Sequence, residues 1–179
     1  MSKKTLVVVA HPDLSKSRIN KAWVEHLRSQ PDSITVHEIY KAYPEGKIDA
    51  AAEQKLLEAH DRIILQFPFY WFSPPALLKQ WIDDVFAYGW AFGPGGDKLE
   101  KKEIGIAVST GGPAEAYQAG AQNQFTLSEL LRPLQLTAQF VRAKYLPAFA
   151  LQGVLYDLSD ADVEKNAQRY VKHVLAAED

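Results

Sequence analysis

The chain has 179 residues, of which 47% are hydrophobic and 23% charged, and its formal net charge at pH 7 is −2. This length is enough for one well-cored domain, and we expect residues 1–179 to form a single domain. The small net charge gives no electrostatic basis for binding nucleic acid or an anionic membrane surface. The sequence has no cysteine, which excludes disulfides, thiolate metal ligands and a cysteine nucleophile.

No targeting or membrane segment is visible in the sequence. Residues 1–4 lead into only a short apolar run before His11 and Pro12, which is not a signal-peptide pattern. The longest apolar stretch, residues 63–72, is well below the ~20 residues needed to span a bilayer. We therefore expect a soluble, cytoplasmic protein.

Strands and helices alternate along the chain. Stretches rich in apolar and β-branched residues predict five strands, in chain order at residues 5–10, 34–39, 62–67, 104–109 and 144–149. Apolar residues at three- and four-residue spacing predict the helices, over about residues 17–29 and 49–59, from Pro74 and Pro75 to about residue 85, and from Thr126 and Ser159 onward.

Two stretches in the second half leave alternatives open. The connection over residues 86–102 is long for a compact domain, so it is either functional or a plain surface excursion. Thr126 and Glu129 predict a capping box at the start of a helix. Pro133 then either kinks that helix or marks where it really begins.

The alternation of strands and helices predicts an α/β fold, because such chains form a parallel sheet with helices on both faces. We expect a flavodoxin-like three-layer sandwich whose five parallel strands lie in the order 2-1-3-4-5. In that order the ligand crevice lies where the first and third strands end. Those ends are His11 and Pro68.

Three loops would meet at that edge of the sheet. Residues 11–20 offer hydroxyls and free N–H groups at a helix start, which favour a phosphate, although serine there also suits a simple cap. Residues 68–72 include four consecutive aromatics, suited to a flat ligand or to a neighbouring subunit. Residues 109–112 contain two glycines, which let the backbone approach a flat ligand or form a bland turn. Together the loops describe a flavin mononucleotide (FMN) site.

Three motifs carry a family resemblance: Ala10-His11-Pro12 with Ser17 and Asn20; Gln66-Phe67-Pro68-x-x-Trp71-Phe72 with Pro75-x-Leu77-Leu78-Lys79-x-Trp81; and Thr110-Gly111-Gly112-x4-Tyr117. They resemble the flavodoxin-like NAD(P)H:quinone oxidoreductase family, which includes DT-diaphorase. The nearest resemblance is to its short bacterial members, the general stress protein 14 group and the ancillary oxidoreductases of glutathione-gated potassium efflux systems. It runs through Ile48-Asp49-x-Ala51-Ala52-Glu53-Gln54 and Gly89-Trp90-Ala91-Phe92-Gly93.

The resemblance implies the site residues by position. The FMN phosphate and ribityl chain would lie among His11, Ser17, Arg18, Ile19 and Asn20. The isoalloxazine ring would lie against Pro68, Phe69, Tyr70, Trp71 and Phe72. The N1–O2 edge of the ring would be bound by Ser109, Thr110, Gly111 and Gly112. Tyr117 would be the catalytic residue, pointing its hydroxyl at that edge and stabilising the charge on reduced flavin.

Two departures from the family pattern bear on the chemistry. Asn123 stands where mammalian members have a histidine, and asparagine cannot relay a proton at neutral pH. The sequence also lacks the C-terminal extension of FAD-binding members, which favours FMN over FAD. The histidines show no metal-ligand spacing, so we expect no metal site.

The resemblance implies an enzyme that passes hydride from NADH or NADPH through FMN to a quinone or similar acceptor, with ping-pong kinetics. Two alternatives stay open. One is a regulatory ancillary subunit on a potassium efflux transporter, which would hold the protein at the inner membrane. The other is a one-electron carrier of the flavodoxin type, which the small net charge disfavours. We also expect a homodimer, because the aromatics of residues 68–72 would otherwise face water.

Overall fold

A computed structural model of the chain describes residues 3–176. Four strands pair in parallel in the spatial order β2-β1-β3-β4, namely β1 (Thr5–Val9), β2 (Ile34–Glu38), β3 (Arg62–Pro68) and β4 (Glu103–Thr110). Two short strands, β5 (Lys144–Tyr145) and β6 (Phe149–Gln152), both pair in parallel with β4. The predicted flavodoxin-like order 2-1-3-4-5 is therefore confirmed, with one strand more than expected.

The prediction of one continuous fifth strand over residues 144–149 was wrong. The Leu146 N–H still donates to the Ile104 carbonyl at 2.9 Å, but the next residue is Pro147. Proline has no N–H to donate, so the ladder stops there and pairing resumes at Phe149. The interruption divides the edge of the sheet into β5 and β6.

Helices cover both faces of the sheet, as predicted. Their bounds are α1 (Arg18–Leu27), α2 (Ile39–Ala42), α3 (Ala50–Glu58), α4 (Ala76–Val85), α5 (Leu127–Leu130), α6 (Arg132–Phe140) and α7 (Asp160–Leu175). Helices α1 and α7 bury their apolar residues against one face, while α3, α4 and α6 contribute to a second core on the other. Every residue of β1 and β4 is buried, as expected for strands covered on both sides.

Local signals in the sequence set several helix ends. The predicted capping box is present, since Thr126 Oγ1 accepts from the Glu129 N–H at 3.2 Å and the Thr126 N–H donates to Glu129 at 2.9 Å. Ser159 caps α7 in the same way with Asp162. Pro133 lies in the first turn of α6, so it marks a helix start and not a kink. The four-residue helix α2, directly after β2, was not predicted.

A buried carboxylate joins three elements on the α3–α4 face. Glu53, only 3% exposed, accepts hydrogen bonds from His37 Nε2 at 2.9 Å, the Tyr43 hydroxyl at 2.6 Å and Trp81 Nε1 at 2.7 Å. Burial acts to raise the pKa of Glu53, but these three donors outweigh it and hold the pKa below its usual range. Glu53 therefore stays ionised and ties α3 to β2 and to α4.

Replacing Glu53 by glutamine should lower the free energy of unfolding at pH 7 by about 2–3 kcal/mol, because an amide oxygen cannot satisfy three buried donors. A carboxylate with a lowered folded-state pKa stabilises the fold above its unfolded pKa of about 4.3 and loses that contribution as pH falls. The difference between Glu53→Gln and wild type should therefore shrink below about pH 4. Urea unfolding across this pH range measures both effects.

Glu100→Gln is the matched control, since Glu100 pairs with Arg142 on the exposed surface, away from the Glu53 cluster. This substitution should change the free energy of unfolding by less than about 0.5 kcal/mol. Equal stability of Glu53→Gln and wild type at pH 7 would contradict the role given to Glu53.

Candidate functional site

The three candidate loops leave the sheet at the same edge, as predicted. Val9 pairs with Gln66, and Pro68 pairs with Ser109, so β1, β3 and β4 end close together. Two backbone hydrogen bonds extend this register into the loops, from the Ala10 N–H to the Gln66 carbonyl and from the Phe69 N–H to the Ser109 carbonyl, both at 2.8 Å. The loops are thus tied to one another at their roots.

The first loop prepares a helix start that suits an anion. Ser17 caps α1, with its Oγ accepting from the Asn20 N–H at 3.0 Å. The N–H groups of Arg18 and Ile19 have no partner inside the helix, and the helix dipole adds positive potential there. The cap uses an acceptor lone pair of Ser17, so its hydroxyl proton is still available. The cap and the anion-binding interpretations are therefore compatible.

Two charged or titratable side chains border this helix start. His11 Nδ1 accepts from the Asp13 N–H at 3.1 Å, and burial lowers the pKa of the imidazole. Hydrogen bonds from Ser15 and Lys16 lower the pKa of Asp13 to about 2. His11 is therefore neutral at pH 7, and attraction for an anion comes from the helix start. Asp13, which caps the short turn before α1, was not among the predicted site residues.

The side chains of the other predicted residues of this loop differ in exposure and in the groups they contact. The Arg18 guanidinium pairs with Asp160 Oδ1 at 2.6 Å, an exposed contact with the first turn of α7. The Ile19 side chain is buried in the core, so only its backbone can reach a ligand. Asn20 is 1% exposed, and its amide donates to Ser109 Oγ at 2.9 Å. Asn20 and Ser109 therefore contact each other beneath the site.

The second loop is a tight turn in a strained backbone conformation. Tyr70 and Ser73 exchange two backbone hydrogen bonds, at 2.9 and 3.1 Å, across the residues between them. Those residues, Trp71 and Phe72, have φ angles of 47° and 60°. Positive φ at both central positions normally calls for Asn-Gly, and each bulky residue there costs about 1–2 kcal/mol. Trp71 is 92% exposed, so this strained turn holds its indole ring in solvent and lowers the stability of the fold.

The third loop carries Tyr117 and Asn123 against one glycine. The hydroxyl of Thr110, which is fully buried, donates to the Gly112 carbonyl at 2.9 Å and closes the turn. A Cβ on Gly112 would lie 3.4 Å from both Tyr117 Cε2 and Asn123 Nδ2. Tyr117 is buried, and Asn123 is partly buried beside it. The structure therefore brings the predicted catalytic residue and the departing asparagine together.

A fourth segment at this edge was missed by sequence reasoning. The Gly153 N–H donates to the Gly112 carbonyl at 2.7 Å and the Val154 N–H to the Thr110 carbonyl at 3.0 Å. The segment places Leu155, which is 83% exposed, over Gly111, where an added Cβ would lie 2.9 Å from Leu155 Cδ1. The apolar run Val154-Leu155-Tyr156 after the last strand was the available signal.

An apolar groove of about 790 Å³ lies beside the converging loops. Phe69 and Phe72 of the aromatic turn form one wall, and residues of α4, α6 and the 86–92 connection form the rest. Within residues 3–176, no cluster of three potential metal ligands is present, and no helix is long and apolar enough to cross a membrane.

A family model described as "Flavodoxin-like fold" matches residues 3–174. The chain belongs to this flavodoxin-like family. An uncharacterized NAD(P)H oxidoreductase of Bacillus subtilis, YdeQ, is 52% identical over 171 residues, which is 96% of this chain and 86% of that protein. The glutathione-regulated potassium-efflux system ancillary protein KefG of Salmonella paratyphi B is 41% identical over 144 residues, 80% of this chain and 78% of that protein.

Solved structures of the family share the whole fold. General stress protein 14 of Treponema denticola, described in complex with FMN, has a TM-score of 0.91 at 45% identity, covering 96% of this chain and 97% of that one. An NADPH-quinone reductase from P. pentosaceus has a TM-score of 0.88 at 38% identity, covering 98% of this chain and 99% of that one. A structure described as a thermophilic tryptophan halogenase from Streptomycin violaceusniger has a TM-score of 0.93 at 44% identity, covering 97% of this chain and 99% of that one. These matches confirm the predicted family.

The strained turn gives a stability prediction. Trp71→Asn should raise the free energy of unfolding by about 0.5–1 kcal/mol, because asparagine tolerates positive φ and the exposed indole packs against little. Thermal and urea unfolding measure the change. Phe125→Asn is the control, since Phe125 is also an exposed aromatic but has no positive φ, and it should bring no gain. A loss of stability in Trp71→Asn would contradict the strain argument.

Proposed function

We propose that this protein is an FMN-dependent NAD(P)H oxidoreductase that reduces a quinone or a related acceptor. The observation that carries the proposal is the meeting of three loops, namely a capped helix start, a strained aromatic turn and a glycine turn, at one sheet edge. The cofactor and enzyme class have further support, because a relative 45% identical is described with FMN and one 52% identical is named an NAD(P)H oxidoreductase.

The residues at the helix start fit a phosphate group. The N–H groups of Arg18 and Ile19 and the hydroxyl of Ser17 supply donors at the positive end of α1. No cation is required beside them, and His11 contributes a neutral ring. This part of the site would hold the phosphate of FMN.

The residues at the other two loops fit a flat ring. Glycine at position 112 leaves open the space between Tyr117 and Asn123 that a Cβ would enter. Strained backbone is found where a function requires the geometry, and here it presents Trp71 and Phe72 at the same edge. The aromatic turn would cover one side of the isoalloxazine ring, and the backbone of residues 110–112 would lie along its N1–O2 edge.

FMN, when bound, supplies the hydride-transfer chemistry. The chain supplies orientation and a proton donor. The hydroxyl of Tyr117, buried next to Gly112, would donate a hydrogen bond to the edge of the ring that becomes negative. Asn123 can donate a hydrogen bond there but cannot pass a proton on, so proton exchange runs through Tyr117 or solvent. The nicotinamide cofactor and the acceptor would use the same pocket in turn, which gives ping-pong kinetics.

The halogenase name of one structural neighbour is not extended to this chain. YdeQ and the NADPH-quinone reductase both bear names of the oxidoreductase class, which agree with the FMN described in general stress protein 14 of Treponema denticola. The KefG similarity supports a second candidate, a regulatory subunit of a potassium efflux transporter. Co-purification with such a transporter, and a change in its ion flux when the chain is deleted, would support that role.

Purified protein mixed with FMN should show a shifted flavin spectrum, and NADH or NADPH should bleach it under anaerobic conditions. Tyr117→Phe should bind FMN as wild type does but reduce quinone about 10- to 100-fold more slowly, because it lacks the hydroxyl donor. Stopped-flow absorbance of flavin reduction and reoxidation measures both half-reactions.

Tyr145→Phe is the control, since Tyr145 lies in β5, packed against the core on the α3–α4 face. It should leave both half-reactions unchanged. Wild-type protein that binds no FMN and shows no NAD(P)H-dependent quinone reduction would overturn the proposed function.

We further propose a homodimer in which a second copy covers the apolar groove. Large aromatic rings are exposed along this groove. The rings of Tyr88 and Phe92 pack edge to face with their centroids 5.7 Å apart. The centroid of Phe92 lies 5.6 Å from that of Phe140, whose side chain is 64% exposed. A two-fold interface brings the same patch of both copies together, so the apolar groove of each copy is buried against that of the other. The groove adjoins Phe69 and Phe72, which places this interface beside the proposed flavin site.

Light scattering and sedimentation at micromolar concentration should give a dimer for wild type and a monomer for Phe140→Glu, because a charge in the groove cannot be buried without a partner. Leu155→Glu, an exposed leucine outside the groove, should remain dimeric. A monomeric wild type would exclude this interface.

A further inference from the structure

Three polar side chains are buried together beneath the site. Gln66 of β3 is 0% exposed, and Asn20 of α1 and Ser109 of β4 are nearly as buried. Each belongs to an element that leads into or out of one of the three converging loops. A buried polar cluster costs stability unless its groups are hydrogen-bonded.

The cluster joins the loops through side chains. The Gln66 amide donates to both the carbonyl oxygen and the side-chain oxygen of Asn20, each at 3.3 Å. Asn20 Nδ2 donates in turn to Ser109 Oγ at 2.9 Å. Asn20 also donates its backbone N–H to the Ser17 cap. Gln66 therefore holds, by two contacts, the residue that completes the first turn of α1.

Gln66 is not the residue that packing alone would select. Its Oε1 is buried and has no hydrogen-bond partner among residues 3–176. A buried unpaired acceptor destabilises a fold, whereas apolar residues at both position 66 and position 20 would leave no polar group unpaired. Ile64, two residues earlier on the same face of β3, shows that apolar residues suit this layer. A residue that costs stability in a core commonly serves function.

We propose that Gln66 is a positioning residue that sets the first turn of α1 for the phosphate of FMN. It acts through Asn20 and does not itself contact the ligand. Its specific effect is discrimination between FMN and riboflavin, which share the ring but differ in the phosphate. This inference rests on the proposed binding of FMN.

The test compares Gln66→Met, which keeps the side chain's length without its amide, with wild type. The dissociation constants of FMN and of riboflavin are measured by quenching of flavin fluorescence. FMN should bind about tenfold more weakly, roughly the effect of losing one positioning hydrogen bond, and riboflavin should change less than about twofold. The melting temperature of the apoprotein should stay within about 4 °C of wild type, because the variant removes the unpaired Gln66 Oε1 but leaves Asn20 Oδ1 without its donor.

Ile64→Val is the matched control, a small core change on the same strand face that leaves the cluster intact. It should leave the ratio of the two dissociation constants unchanged. If Gln66→Met does not fold, Gln66→Asn, whose shorter amide cannot reach Asn20, is used for the same comparison.

A loss of FMN binding alone, at unchanged apoprotein stability, supports the inference. An unchanged ratio, an equal loss of FMN and riboflavin binding, the same change in Ile64→Val, or failure of both Gln66 variants to fold overturns it. Wild-type protein that binds neither flavin overturns the proposed function instead.

Discussion

The parallel register of β1, β3 and β4 is the constraint on which the rest of the structure depends. Because these three strands run side by side and end within three residues of one another, their loops must share one edge. The bonds from Ala10 to Gln66 and from Phe69 to Ser109 carry this register past the strand ends. The loops could not separate without breaking the central sheet, so the site inherits the rigidity of the core.

That rigidity explains how the aromatic turn keeps its strain. Trp71 and Phe72 hold positive φ angles that bulky residues avoid. On one side the turn is held by β3, and on the other it leads into α4, whose Trp81 donates to the buried Glu53. Strain persists only where the surroundings over-determine the conformation, and here both ends are anchored. The Glu53 cluster therefore supports the shape of the aromatic turn through α4.

The start of α1 shows how one structural device serves two purposes. Ser17 satisfies the Asn20 N–H as a helix cap, which any soluble helix requires. The same arrangement leaves two N–H groups without a partner inside the helix and a hydroxyl proton free to donate, which suits an anion. Beneath it, Asn20 and Gln66 replace apolar packing by hydrogen bonds. The helix start is thereby connected to Ser109 and so to the opposite side of the site.

The sequence by itself determined the strands, the helix caps and the three candidate loops, because periodicity, proline and capping residues act locally. The fold and the strand order were predicted from the alternation of strands and helices. The sequence did not determine that pairing with β4 resumes at Phe149, or that Gly153 and Val154 donate to Gly112 and Thr110, since those outcomes depend on pairing with a distant strand. Nor did it separate exposed from buried site residues. Asn20 and Ser109 lie inward and Trp71 outward because three-dimensional packing, not residue type, decides which atoms meet water.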